Sequence, residues 1–142
     1  MSPESRRIAG ILLILLPTVV FGGASILTML VGDSDYMANP LRQDLWRAGH
    51  AHAGVLLILS LVTLRYVDEA ALSPKAKAFA RHAIPASAIL LPVAFFLSVP
   101  GPGDTTPNAL INLAYVGAVL LTAGLLTLGV GLLRGRARVE SH

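Results

Sequence analysis

The sequence has no cysteine among its 142 residues, and this absence excludes disulfides, thiolate-bound zinc and iron–sulfur clusters. Any metal that the chain binds must therefore use histidine, carboxylate, carbonyl or methionine ligands, with histidine as the default. Charged residues are scarce as well: they make up 13% of the chain, whereas hydrophobic residues make up 54%. Because soluble domains carry about 25% charged residues, this balance indicates a membrane protein.

The formal net charge of the chain is +3. In a soluble protein a basic balance would suggest nucleic acid as a partner. Here the basic residues flank apolar runs, so they are read as topology signals. We expect a lipid bilayer, and no nucleic acid, as the partner.

Four uncharged apolar stretches follow one another along the chain. Each is about as long as the roughly 20 residues that a helix needs to cross a bilayer. We therefore predict one all-α domain over residues 1–142, an integral membrane four-helix bundle with spans at about 8–31, 47–65, 80–99 and 108–133. In the first span, Gly22, Gly23 and Ala24 would allow another helix to pack closely.

The basic residues also predict an orientation. Nine of the eleven lysines and arginines lie on segments that share one side of the membrane with the N-terminus, namely Arg6, Arg7, Arg65, Lys75, Lys77, Arg81, Arg134, Arg136 and Arg138. By the positive-inside rule, both termini are cytoplasmic. The second span then begins at the outer surface.

Two histidines stand at the head of the second span, in the stretch WRAGHAHAG, where a membrane helix would normally carry aliphatic residues. Side chains two positions apart on a regular helix point about 200° apart, so His50 and His52 cannot hold one metal together. One must face inward and the other elsewhere. They are either interfacial residues beside Trp46 and Arg47, or one of them is a metal or heme ligand. All their neighbours from 48 to 54 are alanine or glycine, which leaves room for a flat macrocycle.

The fourth span carries a second polar group near the same surface. Asn108, Asn112 and Tyr115 fall at i, i+4 and i+7 and so share one helical face. Asn108, directly after Pro107, is read as a helix cap. Asn112 and Tyr115 lie close to the predicted depth of His52 and either join the spans together or line a pocket. His82 is expected at the opposite membrane edge, and His142 in a frayed tail.

Three segments of the chain resemble the styrene oxide isomerases, a family of small four-span bacterial membrane proteins. RRIAGILLILLPTVVFGGASILTMLVGD resembles the opening helix of that family, WRAGHAHAG the segment with its heme-ligating histidine, and GPGDTTPNALINLAYVGAVLL its last turn and span. The resemblance implies a homotrimer in the bacterial inner membrane that binds heme b through one axial histidine. It further implies that ferric iron acts as a Lewis acid on an epoxide, which rearranges to an aldehyde by a hydride shift without net redox change.

The axial histidine maps to His52 if HAG is matched to the His-Ser-Gly of the family, and to His50 if the distance from Trp46 is kept. We favour His52 because it lies deeper and should be better shielded from water. Two positions depart from the family. Its asparagine two turns after the ligand is replaced by Leu56 or Ile58, and its tyrosine in the third span by Phe95 or Leu97.

Other residues complete the predicted site. Asn112 and Tyr115 are candidates to supply the missing hydrogen bonds to a small apolar substrate. Arg47, and also Arg42, are candidates to pair with the heme propionates, with Trp46 beside them. Two alternatives stay open: a heme protein that transfers electrons or senses, and a copper protein that uses His50 and His52 through a locally unwound helix start.

Overall fold

The computed structural model describes residues 1–139, and the side chains of residues 1–135; His142 lies outside this range. Within that range the chain is all-helical. Five α-helices and one short 3₁₀ helix follow in order: α1 (Pro3–Gly32), α2 (Ser34–Met37), α3 (Pro40–Val67), α4 (Pro74–Ser98), the 3₁₀ helix (Ala109–Asn112) and α5 (Leu113–Val139).

Four of these helices are long and apolar enough to cross a membrane, which confirms the prediction of four long apolar helices. The helices extend beyond the apolar runs because their starts are set by local capping. In α1, α3 and α4 a polar residue, Ser2, Asn39 or Ser73, is followed by proline at the first helical position. Each polar side chain accepts a hydrogen bond from a backbone N–H of the first turn, an arrangement that favours helix initiation.

The long helices pack in the order α1, α3, α4, α5. In this row α3 and α4 are central, and the leucine-rich core lies where α1, α3 and α4 meet. Its buried members are Leu12, Leu56, Leu57, Leu64, Ala88 and Leu91. The apolar segment of α4 is 56% buried, whereas that of α1 is only 11% buried. Most of the apolar surface of α1 is therefore available to lipid.

Three glycines bring α5 against the preceding part of the chain. Gly117, Gly124 and Gly131 recur every seven residues, and a Cβ atom built on them would meet Leu91, Ile84 and Leu72 respectively. The two segments approach most closely at Gly131, whose carbonyl accepts a hydrogen bond of 2.9 Å from the Ala71 N–H. Small residues of this kind let membrane helices approach closely, and they define the face of α5 that is turned toward α4.

A buried ion-pair network ties three helices together at the end of the bundle that carries the N-terminus. Arg81 of α4 is 7% exposed. Its Nε donates to Ser5 Oγ (3.0 Å), its Nη2 donates to Asp68 Oδ1 (2.9 Å), and its Nη1 pairs with Glu4. The start of α1, the end of α3 and the first turns of α4 are joined in this way. The sequence predicted only a topology signal at Arg81.

Asp68, which follows the last residue of α3, is held ionised by this network. Burial alone would raise the pKa of its carboxyl group, but hydrogen bonds from the Ser2 backbone N–H, from Arg81 and from the hydroxyls of Ser2 and Ser5 outweigh that effect and lower the pKa to about 2. Because the pKa in the folded state is depressed, the stabilisation is complete above the unfolded pKa near 4 and is lost as the pH falls toward 2.

We predict that Gly124→Ala destabilises the protein by about 1–3 kcal/mol, because overpacking a filled interface costs that much. The new Cβ would lie 2.8 Å from Cγ1 of the buried Ile84. The matched control is Gly129→Ala, where nothing lies within 4 Å of the added atom. Thermal unfolding in detergent measures both variants. Equal midpoints would contradict the close α4–α5 contact.

We also predict that Asp68→Asn lowers stability at neutral pH by about 2 kcal/mol, the value that a pKa depression of this size represents. The variant should lose the decline in stability between pH 4 and pH 2 that the unmodified protein shows. Unfolding by denaturant at several pH values is the measurement, with the exposed neighbour Glu69→Gln as control. An unchanged acid profile in Asp68→Asn would show that the network does not stabilise the fold.

Candidate functional site

The two histidines of α3 lie on opposite sides of the helix. His50 is half-buried and faces α1, where its Cε1 lies 2.8 Å from the position that a Cβ atom on Gly23 would take. His52 is exposed in the single chain, with its ring 5.1 Å from the ring of Phe95 on α4. The expectation that His52 is the inward histidine is therefore wrong: the inward residue is His50.

The packing of α3 explains these orientations. On one side, α1 approaches through Gly23 and through Val19, which contacts Gly54; on another side, Phe96 of α4 lies against Gly49. Between them one strip of α3 is left uncovered. This open face consists of Asp44, Ala51, His52, Val55, Ile58, Val62 and Tyr66. His52 lies at the edge of the open face beside α4. The histidine that the sequence favours as a heme ligand is therefore at the surface of the chain.

Among the described residues, one nitrogen of His52 has a hydrogen-bond partner in the helix and the other has none. Its Nδ1 lies 2.7 Å from the carbonyl oxygen of Ala48. In the tautomer that donates from Nδ1, the Nε2 atom keeps its lone pair, which is the arrangement that metal-ligating histidines use. His82 makes the same bond to Ala78 (2.8 Å). The surroundings, rather than the bond, therefore distinguish His52.

Those surroundings are apolar and shallow. Ala51, Val55 and Leu56 line a cavity with His52 of about 160 Å³. Sites that enclose a cofactor-sized ligand run from about 300 to 1,000 Å³. One chain therefore offers a flat apolar surface with one ligating nitrogen, and a second surface is needed to enclose a large cofactor.

The predicted interfacial residues separate into two groups. Trp46 is turned away from the open face: it packs edge-on against Phe96, and its Nε1 donates to the Val99 carbonyl (3.2 Å). Arg42 stacks on Trp46, 4.2 Å from the ring centre. Arg47, in contrast, is exposed and pairs with Asp44 (2.8 Å), one helical turn before Ala51. Of the two arginines, only Arg47 borders the open face.

Tyr36 is a buried residue that sequence reasoning missed. It is fully buried in α2, with its ring 6.0 Å from that of Trp46. Burial raises the pKa of its phenol, and nearby Arg47 and Arg42 only partly oppose this. Tyr36 contacts Trp46, and Trp46 contacts Phe96, so these rings join α2, the first turns of α3 and the end of α4. No helical or strand periodicity links Tyr36 to Trp46, ten residues later, so the sequence carried no signal for this contact.

The polar residues before and within α5 are distributed differently from the prediction. Asn108 is the helix cap that was expected: its side chain accepts from the Leu110 N–H and donates to the Leu97 carbonyl (2.8 Å). Asn112 is exposed and donates to the Ala109 carbonyl (3.0 Å), and Tyr115 is 72% exposed. Among the described residues, no hydrogen bond or ring contact joins Asn112 or Tyr115 to either histidine. A single chain does not assemble the predicted group.

The copper alternative requires an unwound helix start, and α3 is a continuous α-helix from Pro40 through both histidines. Among the side chains of residues 1–135, no three histidine, aspartate or glutamate groups gather into a metal-binding group.

In comparisons with known proteins, the chain matches no family model, no curated protein and no solved structure.

We predict that Gly23→Ala destabilises the protein by about 1–3 kcal/mol, because the added methyl would occupy the space of the His50 ring. Combining it with His50→Ala should abolish that cost, since the smaller side chain removes the clash. Thermal unfolding of the two single variants and the double variant gives the coupling. Gly10→Ala, which meets nothing within 4 Å, is the control. A cost that persists in the double variant would place His50 elsewhere.

Proposed function

We propose that this chain is a heme b-dependent membrane isomerase with His52 as the axial ligand, which rearranges an aryl or alkyl epoxide to an aldehyde as the styrene oxide isomerases do. The observation that carries the proposal is the presentation of His52. Its Nδ1 lies 2.7 Å from the Ala48 carbonyl oxygen, and its Nε2 has no hydrogen-bond partner among the described residues and lies at an apolar surface.

The residues around His52 fit a flat cofactor. Ala51 and Val55 present little side-chain bulk beside the ring, and Phe95 restrains it from the α4 side. Heme needs one strong imidazole ligand, a surface that admits a plane, and a cation for its propionates. Arg47 meets the last need, because it lies at the outer border of the open face. Its partner Asp44 is exposed, so the pair can be exchanged at little cost.

The shallow cavity supports an assembly. A heme that binds at this cavity of about 160 Å³ would leave one of its two faces in contact with lipid. We therefore infer a homotrimer in which a neighbouring chain covers the site. We place the protein in the bacterial inner membrane with both termini cytoplasmic. The nine basic residues on one side of the predicted spans support this orientation.

When bound, the ferric heme would supply a Lewis acid for the epoxide oxygen. The chain itself contributes an apolar surface: Val55 and Phe95 are apolar, and the open face from Ala51 to Val62 lies within the predicted span. Exclusion of water favours rearrangement over hydrolysis to a diol.

We predict a Soret band for the protein purified from membranes, and loss of that band in His52→Ala. The matched control is His82→Ala, because His82 makes the same helical hydrogen bond at the other end of the bundle. His50→Ala should retain heme, since that ring faces α1. A band that survives in His52→Ala and disappears in His50→Ala would assign the ligand to His50, and no band in any variant would refute heme binding.

Activity separates the isomerase from a redox or sensor protein. The purified ferric protein is expected to convert an aryl epoxide to its aldehyde without reductant. Heme binding with no conversion of aryl or alkyl epoxides would leave electron transfer or sensing as the better assignment.

A further inference from the structure

We propose that the groove between α4 and α5, at the end of the bundle that carries the N-terminus, binds one anionic phospholipid. Its phosphate lies between Lys75 of α4 and Arg134 of α5, and an acyl chain fills the groove beside His82. The inference goes beyond the proposed function and does not depend on heme. It rests on the shape of the groove, on the charges at one end of it and on four helices that suit a bilayer.

The groove lies on the surface along which α4 and α5 pack. It has a volume of about 260 Å³ and is lined by Phe79, His82, Ala83, Ala86 and Leu120. Four of these five residues are apolar, and the two alanines leave room between Leu120 and Phe79, which is 41% exposed. An alkyl chain that enters from the bilayer fits such a lining, because apolar atoms of both helices contact it.

Two basic residues reach the same level at one end of this groove. α5 runs antiparallel to α4, and Gly124 lies against Ile84. From that contact, Arg134 is ten residues further along α5, and Lys75 is nine residues back along α4. At about 1.5 Å per residue, both lie about 14–15 Å from the contact. The two cations are therefore at one level, one on each helix, and this end is the mouth of the groove.

Both cations also lie on the sides of their helices that border the groove. On α4, Lys75 is four residues before Phe79 and seven before His82, so the three residues share one face of the helix. On α5, Arg134 follows Leu120 by fourteen residues, which is close to four full turns. Lys75 and Arg134 are exposed. Their long side chains can therefore extend over the mouth of the groove.

The charges at this end of the bundle are divided between two sides of α4. Arg81 is buried and takes up two carboxylates on the side of α1. His82, the next residue, lies about 100° around the helix from that network and borders the groove. Among the described residues, no carboxylate forms a salt bridge with Lys75 or Arg134. The mouth of the groove is therefore positively charged and complements a phosphate group.

The layout of the groove follows that of a phospholipid, in which an apolar chain extends inward from a charged phosphate. The cations lie at the mouth, and the apolar lining continues from them toward the middle of the span. His82 lies between, about 10 Å from Lys75 along α4. Its Nδ1 lies 2.8 Å from the Ala78 carbonyl oxygen, and its Nε2 has no hydrogen-bond partner among the described residues. The glycerol region of a lipid gives that nitrogen a polar neighbour.

The apolar lining favours a lipid over a soluble anion as the occupant. Inorganic phosphate could use only Lys75 and Arg134, whereas a lipid contacts the cations and the lining together. Because the cations come from two helices, the bound lipid joins α4 to α5. We therefore expect it to raise the thermal stability, as a ligand does that binds only the folded state.

Native mass spectrometry tests the site with the complete protein in neutral detergent. Phosphatidylglycerol and phosphatidylcholine with identical acyl chains are titrated separately. One phosphatidylglycerol per chain should bind in preference to phosphatidylcholine, and it should raise the midpoint of thermal unfolding. Lys75→Gln combined with Arg134→Gln should weaken its binding about 25-fold, since each cation near a lipid surface contributes about fivefold.

Two further variants separate the groove from general surface charge. Arg7→Gln combined with Arg65→Gln removes two exposed charges from the same end of the bundle but outside the groove, and it should leave the binding unchanged. Ala86→Leu keeps every charge and fills the groove, so it should weaken phosphatidylglycerol binding at least tenfold. Thermal unfolding without lipid verifies that each variant is folded.

Four results would overturn the proposal. Equal affinity for the two lipids would remove the requirement for charge, and equal weakening by the two pairs of charge substitutions would show a diffuse attraction to the surface. Stabilisation by inorganic phosphate as large as that by phosphatidylglycerol, or full binding by folded Ala86→Leu, would show that no acyl chain occupies the groove. None of these readouts depends on heme, so the lipid site and the proposed function stand or fall separately.

Discussion

The bilayer cannot solvate a polar group, and every polar group that the chain carries into it must find a partner within the protein. Helices satisfy this demand for the backbone, and most hydroxyls of the spans satisfy it by bonding to a carbonyl one turn back, as Ser60 and Thr127 do. Arg81 satisfies it through Glu4, Ser5 and Asp68, which fixes where three helices meet. Among the described residues, His52 satisfies it at only one nitrogen. The position of the unsatisfied nitrogen is the basis for the assignment of function.

The same demand shows what sequence alone can predict. Four apolar runs predict four helices because few other structures are stable at that length in lipid. The helix bounds were less predictable, since the starts at Pro3, Pro40 and Pro74 depend on local capping outside the apolar runs. The cap at Asn108 was predictable for the same local reason.

Contacts between distant segments could not be predicted. Arg81 reaches Glu4 across 77 positions of the chain, and nothing in either neighbourhood announces the pair. The prediction of which histidine faces inward failed for a related reason. Helix geometry correctly predicted that the two rings diverge. Which ring faces inward depends on the side of α3 that α1 occupies, and this is decided by bare backbone at Gly23 and Gly54. Small residues signal that a close approach is possible, but they do not tell which helix will make it.

The paired residues at the helix starts have a further consequence for a chain in lipid. A helix leaves its first four N–H groups without partners. At the starts of α1, α3 and α4, proline has no N–H to leave, and the preceding serine or asparagine accepts from another. Two of the four obligations of each start are thus removed by two consecutive residues. Each of these starts therefore has only two further backbone N–H groups to pair with water or with another part of the chain.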